Sequence, residues 1–175
     1  MKWALPGLFN ARNAAMAAVS AGLLLDAQDP TKLKLDALDS FQGVQRRQQV
    51  LVDRPDLTVI EDFGHHPTAL DLTLESLRAR YPQHRLVACF EPRSNTMKLG
   101  SMKAQLPWSL EEADLAFCHA GGLGWDATAA LEPMGMRAQV GANLDEVIAQ
   151  VLAQTRPGDH LLCMSNGGFG GIHDR

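Results

Sequence analysis

Apolar residues fall into two textures along the chain, and the change comes near residue 48. Before it, alanines and isolated leucines dominate. The stretch "NARNAAMAAVSAGLLL" predicts a helix running to about Leu25, with Asn10 placed to cap it. "DAQDP" breaks that helix, and "LKLDALDSF" predicts a shorter one ending at Gly43. Neither helix carries much apolar bulk, and this part contains no strand on which they could lie. Beyond it, short β-branched or leucine-rich runs alternate with amphipathic stretches. "QVLVD" and "LTVIED" predict strands joined by the turn-forming "RPD". "HPTALDLTLESLRARY" places Leu70, Leu74, Leu77 and Tyr81 on one helical face. "RLVACFE" reads as a buried strand, and "PRSNTMKLGSMKAQL" as a polar, irregular segment. Ser109 and Glu112 stand at capping-box spacing, which predicts a short helix starting there. "LAFCHA" is a further strand, "WDATAALEPMG" is partly helical, and "RAQVG" fits a strand. A helix follows with Leu144, Val147, Ile148, Val151 and Leu152 on one face, and the strand "HLLCMS" then runs into "NGGFGGIH".

Strands alternating with helices predict an α/β domain with a mostly parallel sheet. Right-handed crossovers place the loops that follow successive strands along one edge, where ligands of open sheets bind. Those loops are "EDFGHHP", "FEPRSNT", "CHAGGLGWD" and "MSNGGFGGIH", all of them polar, rich in glycine or both.

Composition narrows the classes. A formal net charge of −4 with no local Lys/Arg stripe leaves no electrostatic footprint for nucleic acid. The longest apolar run, "AAMAAVSAGLLL", is too short to span a bilayer. Pro6, Asn10, Arg12 and Asn13 interrupt the order of regions that a signal peptide requires, so the expectation is a cytoplasmic protein with no membrane partner. Cys89, Cys118 and Cys163 are odd in number, lack CxxC spacing and sit inside apolar runs, which predicts buried free thiols.

The loops offer several chemistries. Glycines after a strand let backbone N–H groups approach an anion, but "MSNGGFGGIH" is neither a Walker loop nor GxGxxG, and a ligand-free turn fits it equally. "FEPRSNTMKLG" gathers Glu91, Arg93, Ser94, Asn95, Thr96 and Lys98 after a buried strand; Arg93 has the planar fork that clamps carboxylate or phosphate, and a solvated capping loop is the alternative. In "DFGHHPT" the adjacent side chains of His65 and His66 diverge, and no third ligand stands at helical spacing, so no metal site is expected. His66 or Thr68 can cap the following helix, and Pro67 fits its first turn, leaving Asp62 as a carboxylate at the mouth of the turn.

In this order and spacing, "DFGHHPTAL", "FEPRSNTMKLG" and "MSNGGFGGIH" resemble the C-terminal domain of the Mur ligases, ATP-dependent enzymes that build the peptides of peptidoglycan. "PGLFNARNAAMAA" is similar to the G-x-H-N-x-x-N-A-x-x-A helix closing that family's central ATPase domain, and "FQGVQRRQQV" to its G-x-x-R-R segment. The resemblance covers nearly the whole chain. It implies a Rossmann-like domain over residues 49–175, truncated at its last helix, preceded over residues 1–48 by the closing helices of the ATP-binding domain. The implied reaction is amide ligation: ATP phosphorylates a carboxylate, and the incoming amine attacks the acyl phosphate. Positioning and charge neutralisation dominate such chemistry.

By the same resemblance, Asn10 and Asn13 would lie against adenine, Arg47 would reach the phosphates, and Asp62 would accept from ribose hydroxyls. His65 and His66 would line the nucleotide side of the domain junction. Arg93, Ser94, Asn95 and Thr96 would face the incoming peptide, with Ser165 and Asn166 nearby. The chain departs from the family at Phe9, where a histidine is usual, and at "RRQQ", where R-R-apolar-E is usual; Arg47 is the better match to the nucleotide arginine. The family's G-T-x-G-K-T loop, its Mg²⁺-handling groups and its UDP-sugar domain have no counterpart in this sequence. The expectation is therefore a fragment, inactive alone, whose partners are the remaining domains of its own chain. Among family members, the loops are most similar to the ligase that joins L-Ala-γ-D-Glu-meso-diaminopimelate to UDP-N-acetylmuramate during peptidoglycan recycling. "EPRSNT" separates it from the sibling that adds free L-alanine, which carries R-Y-T-R-T there. A free-standing α/β module for a small ligand is the reading from another class, and it predicts N-terminal helices packed with the sheet as one core.

Overall fold

Pro55 and Asp56 turn the chain back between β1 (Gln49–Arg54) and β2 (Leu57–Asp62), which pair antiparallel with Gln49 opposite Glu61 and Arg54 opposite Leu57. The computed structural model describes residues 5, 7–25, 29 and 32–174. These divide into two compact units, 1–45 and 46–175.

In the second unit the remaining strands are β3 (Leu86–Phe90), β4 (Leu115–His119), β5 (Ala138–Gly141) and β6 (Asp159–Met164). The sheet has six strands in the order β1-β2-β6-β3-β4-β5, and every pair beyond the hairpin is parallel. This is the mixed, mostly parallel sheet that the alternating pattern predicts. All of β3 is buried because both of its faces are covered. Leu86, Ala88 and Phe90 join one core cluster, where Leu70, Leu74 and Leu77 arrive from the helix Pro67–Arg80. Val87 and Cys89 join the other, where Val147 and Val151 arrive from the helix Leu144–Gln154. Both clusters draw only on residues from Ile60 onward. Cys89, Cys118 and Cys163 are buried free thiols, as expected.

In the first unit a helix runs from Leu8 to Leu24. Its N-cap is Gly7, at a φ of 90° that glycine adopts without penalty, and Asn10 lies inside the first turn instead of capping it. The second helix is a single turn, Asp36–Asp39, shorter than the apolar spacing suggests; Asp is a weak helix former, and Ser40 Oγ closes the turn by donating to the Ala37 carbonyl. The proposed break at "DAQDP" falls mostly outside the described residues. The capping box at Ser109 is not formed. A short helix, Leu106–Ser109, ends there, because Pro107 is acceptable only in a first turn and Ser109 Oγ donates to the Leu106 carbonyl. The segment read as irregular contains a further helical turn, Asn95–Lys98.

At the end of the sheet remote from the polar loops, the His160 ring packs 4.2 Å from Tyr81 and 4.4 Å from His84, centroid to centroid. Burial first, and then the neighbouring His84, lowers the pKa of His160 below its ordinary 6.5, against upward pulls from the Gly158 backbone hydrogen bond and then Asp53. The folded state therefore binds fewer protons than the unfolded state just below pH 6.5. The stability contribution is complete above that pH and is lost as pH falls through the folded value. His173 is raised, chiefly by a hydrogen bond with Cys163, and acts in the opposite sense. Thermal unfolding of His160→Gln across pH 7.5 to 5 should show a shallower acid-side fall in Tm than the wild type; parallel curves would remove His160 as the cause.

Candidate functional site

Strands β2, β6, β3 and β4 are successive neighbours, so their carboxyl ends deliver Asp62, Ser165, Glu91 and His119 to one edge. Backbone bonds fix this edge: Ser165 N–H donates to the Asp62 carbonyl at 3.1 Å and Glu91 N–H to the Met164 carbonyl at 3.0 Å.

The segment before β1 is folded against the end of β2. Arg46 and Gln48 adopt φ values of 60° and 48°, a left-handed conformation that side chains other than glycine disfavour. Three contacts hold it: Phe63 N–H donates to the Arg46 carbonyl at 2.8 Å, Arg46 N–H to Gln49 Oε1 at 2.8 Å, and Gln48 N–H to Asp62 Oδ2 at 2.9 Å. The kink sends the two arginines past the Phe63 ring, with guanidinium carbons 5.2 Å (Arg46) and 5.1 Å (Arg47) from its centroid. Their environments differ. Arg46 donates to Glu61 at 2.6 Å, to the Ser165 carbonyl at 2.9 Å and to the Gly167 carbonyl, so its donors are engaged in tying β2 to the glycine loop. Arg47 is 51% exposed, and its nearest carboxylate oxygen, on Asp62, is 3.8 Å away.

Asp62 is 3% exposed, and Oδ1 also accepts from Gly64 N–H at 2.6 Å. Burial raises its pKa, against the lowering effects of the Gly64 and Gln48 amides, then Arg47 and Thr73. The carboxylate is thus first a staple for its own turn. Beyond it, His65 Nδ1 lies 3.2 Å from the Phe63 carbonyl. His66 occupies the N-cap of the helix Pro67–Arg80 without a side-chain cap bond, and Pro67 takes the first turn, as its fixed φ and missing N–H favour. Both histidines are half-buried.

Across the edge, Ser94 Oγ accepts from Met97 N–H at 3.4 Å and caps the turn Asn95–Lys98, while Arg93, Asn95 and Thr96 are exposed. The Arg93 guanidinium lies directly over Gly167, where a Cβ would sit 2.7 Å from Cζ, so a side chain at that position would displace the arginine. Ser165 is buried, and its hydroxyl donates to Glu91 Oε2 at 2.6 Å while accepting from Gly167 N–H at 3.0 Å. Asn166 Oδ1 is buried without a hydrogen-bond partner. Asn10 is half-buried and Asn13 exposed, both on the helix of the first unit. The sequence groups Glu91 with the polar loop after β3 without giving it a role, and it marks neither His119 nor Gly167 as a site residue. Glu91 was visible as the acid directly before the Pro-Arg step; His119 and Gly167 carry no local signal, because their partners come from other strands. Among the described residues, no group of three or more His, Cys, Asp or Glu side chains is arranged to hold a metal ion, and no helix is long and apolar enough to cross a membrane.

Residues 46–167 match the family model described as "Mur ligase, glutamate ligase domain". Over its full length the chain is 38% identical to the UDP-N-acetylmuramate–L-alanyl-γ-D-glutamyl-meso-2,6-diaminoheptandioate ligase of Escherichia coli K12, covering 38% of that protein. A UDP-N-acetylmuramate–L-alanine ligase of Cupriavidus taiwanensis is 34% identical over 96% of the chain, again covering 38% of the relative. Among solved structures, a murein peptide ligase from Psychrobacter arcticus 273-4 superposes with a TM-score of 0.79 at 34% identity, over 100% of this chain and 37% of that one. The chain thus spans about 38% of the length of these two curated relatives.

Proposed function

The chain belongs to the Mur ligase family, and on that footing we propose that it is the C-terminal part of an ATP-dependent ligase joining L-Ala-γ-D-Glu-meso-diaminopimelate to UDP-N-acetylmuramate. The observation that carries this reading is the pairing of two exposed cations at one edge, Arg47, whose nearest carboxylate oxygen is 3.8 Å away, and Arg93. Arg47 is suited to nucleotide phosphates, and Arg93, with Asn95 and Thr96, to the carboxylates and amides of the incoming peptide. Ser94 and Ser165 serve by holding those loops, and Asn166 offers an unpartnered amide oxygen. Asp62, which accepts the Gln48 and Gly64 amides, is the carboxylate this reading assigns to ribose hydroxyls; His65 and His66 are assigned to the nucleotide side, and Asn10 and Asn13 to adenine.

In this reading residues 1–48 close the central ATP-binding domain, and the phosphate loop and Mg²⁺ ligands belong to the remainder of the parent protein. Mg²⁺ would neutralise the phosphates during transfer. The isolated chain is inactive, and the parent is a cytoplasmic enzyme of peptidoglycan recycling and cell-wall biogenesis. The 34% identity to an L-alanine ligase supports a second reading, in which free L-alanine is the incoming amine. Amide formation by the parent enzyme separates the two. The expected result is a preference in kcat/KM for tripeptide over L-alanine of about 100-fold or more, below the ceiling of hydrogen-bonded substrate recognition. A preference for alanine would replace the first reading with the second.

A further inference from the structure

The Glu91 side chain stands at the end of β3 and is 15% exposed, with a charge that no lysine or arginine neutralises among the described residues. Its Oε2 accepts from the Ser165 hydroxyl at 2.6 Å. Its Oε1 lies 3.6 Å from His119 Nδ1, a buried nitrogen with no hydrogen-bond partner. His119 is seated there because Gly121 leaves room for it: a Cβ on that residue would stand 2.7 Å from Nε2. Two neighbouring strands therefore hold one carboxylate from either side and leave it at the mouth of the edge. The Ser165 hydroxyl brings no positive charge to this carboxylate, and a partly buried negative charge favours a cationic partner. Arg93, two residues on, lies over Gly167, the residue whose amide donates to Ser165 Oγ. A negative and a positive group thus flank the same loop, as a zwitterionic peptide requires.

We infer that Glu91, positioned by Ser165 and His119, is the receptor for a primary ammonium of the incoming peptide. The inference rests on the ligase reading above and adds a binding group to its peptide side. Charge-assisted hydrogen bonds of this type are roughly twice as strong as neutral ones, and the peptide supplies two sources of the same chemistry, its N-terminal ammonium and that of its diaminopimelate residue.

The test uses the full-length parent ligase with Glu91→Gln, whose amide oxygen still accepts from Ser165 and so preserves the loop while removing the charge. The expected result is an increase in KM for the tripeptide of about tenfold or more, with KM for ATP within about twofold and an unchanged Tm. A tripeptide analogue with norleucine as third residue distinguishes the sources: a persisting effect assigns the N-terminal ammonium, and a vanishing one assigns the diaminopimelate ammonium. Both outcomes support the receptor. A tripeptide KM unchanged by Glu91→Gln in an active parent overturns it and leaves the ligase reading standing. A wild-type parent without tripeptide-dependent turnover overturns the ligase reading, and the receptor with it.

Discussion

Asp62→Ala is expected to destabilise the second unit by about 3 kcal/mol and to lower its Tm by roughly 10 °C. The carboxylate is 3% exposed and accepts the amides of Gln48 and Gly64. Removing it strands two buried donors, each costing about 1–3 kcal/mol. It also releases the segment before β1, where Arg46 and Gln48 hold positive φ only because their surroundings over-determine it. Denaturant unfolding of the variant measures the first effect. An unfolding free energy within about 0.5 kcal/mol of the wild type would show that the turn does not depend on the staple. On the proposed role of Arg47, the same substitution in the parent ligase should raise KM for ATP, because the turn carries that arginine. Asp62→Asn separates the contributions, since one amide oxygen can satisfy one of the two donors.

The second large effect divides two adjacent arginines. Arg46→Ala removes donors to Glu61, the Ser165 carbonyl and the Gly167 carbonyl, and should cost about 3 kcal/mol. Arg47→Ala removes a half-exposed side chain whose ion-pair distance to Asp62 is 3.8 Å, and should leave stability within about 0.5 kcal/mol. The order reverses for nucleotide use: Arg47→Ala should raise KM for ATP in the parent enzyme about tenfold or more, while keeping the fold. Equal losses of stability in the two variants would refute the assignment of Arg46 to structure and Arg47 to ligand.

Period and punctuation were enough for much of the second unit. Leu70, Leu74 and Leu77 at helical spacing marked the face that reaches the core, and Pro67 marked where that helix begins. The unbroken apolar run of β3 announced a strand covered on both faces. These are local properties, set by side-chain periodicity and by what proline does to φ. The reading failed where two local preferences competed: Ser109 has capping spacing, but Pro107 had already set the start of a helix. Asn10 has a capping side chain, but Gly7 can take the backbone angle that starts the helix earlier.

What the sequence by itself determined is therefore the alternation of elements, their buried faces and the collection of polar loops after the strands. It also carried the ordered motifs through which the chain joins its family. The tertiary structure alone decided the insertion of β6 between β2 and β3, and everything at the site follows from that placement. It brings Ser165 beside Glu91, 74 residues apart in the chain, and the Gly167 carbonyl to Arg46, 121 residues away. Parallel pairing is non-local, and its partners leave no mark in either strand's own pattern. The sequence could not show which of two neighbouring arginines is engaged, nor that Asp62 holds its own turn before it can hold a ligand, because both depend on groups that only the folded sheet brings within hydrogen-bonding distance.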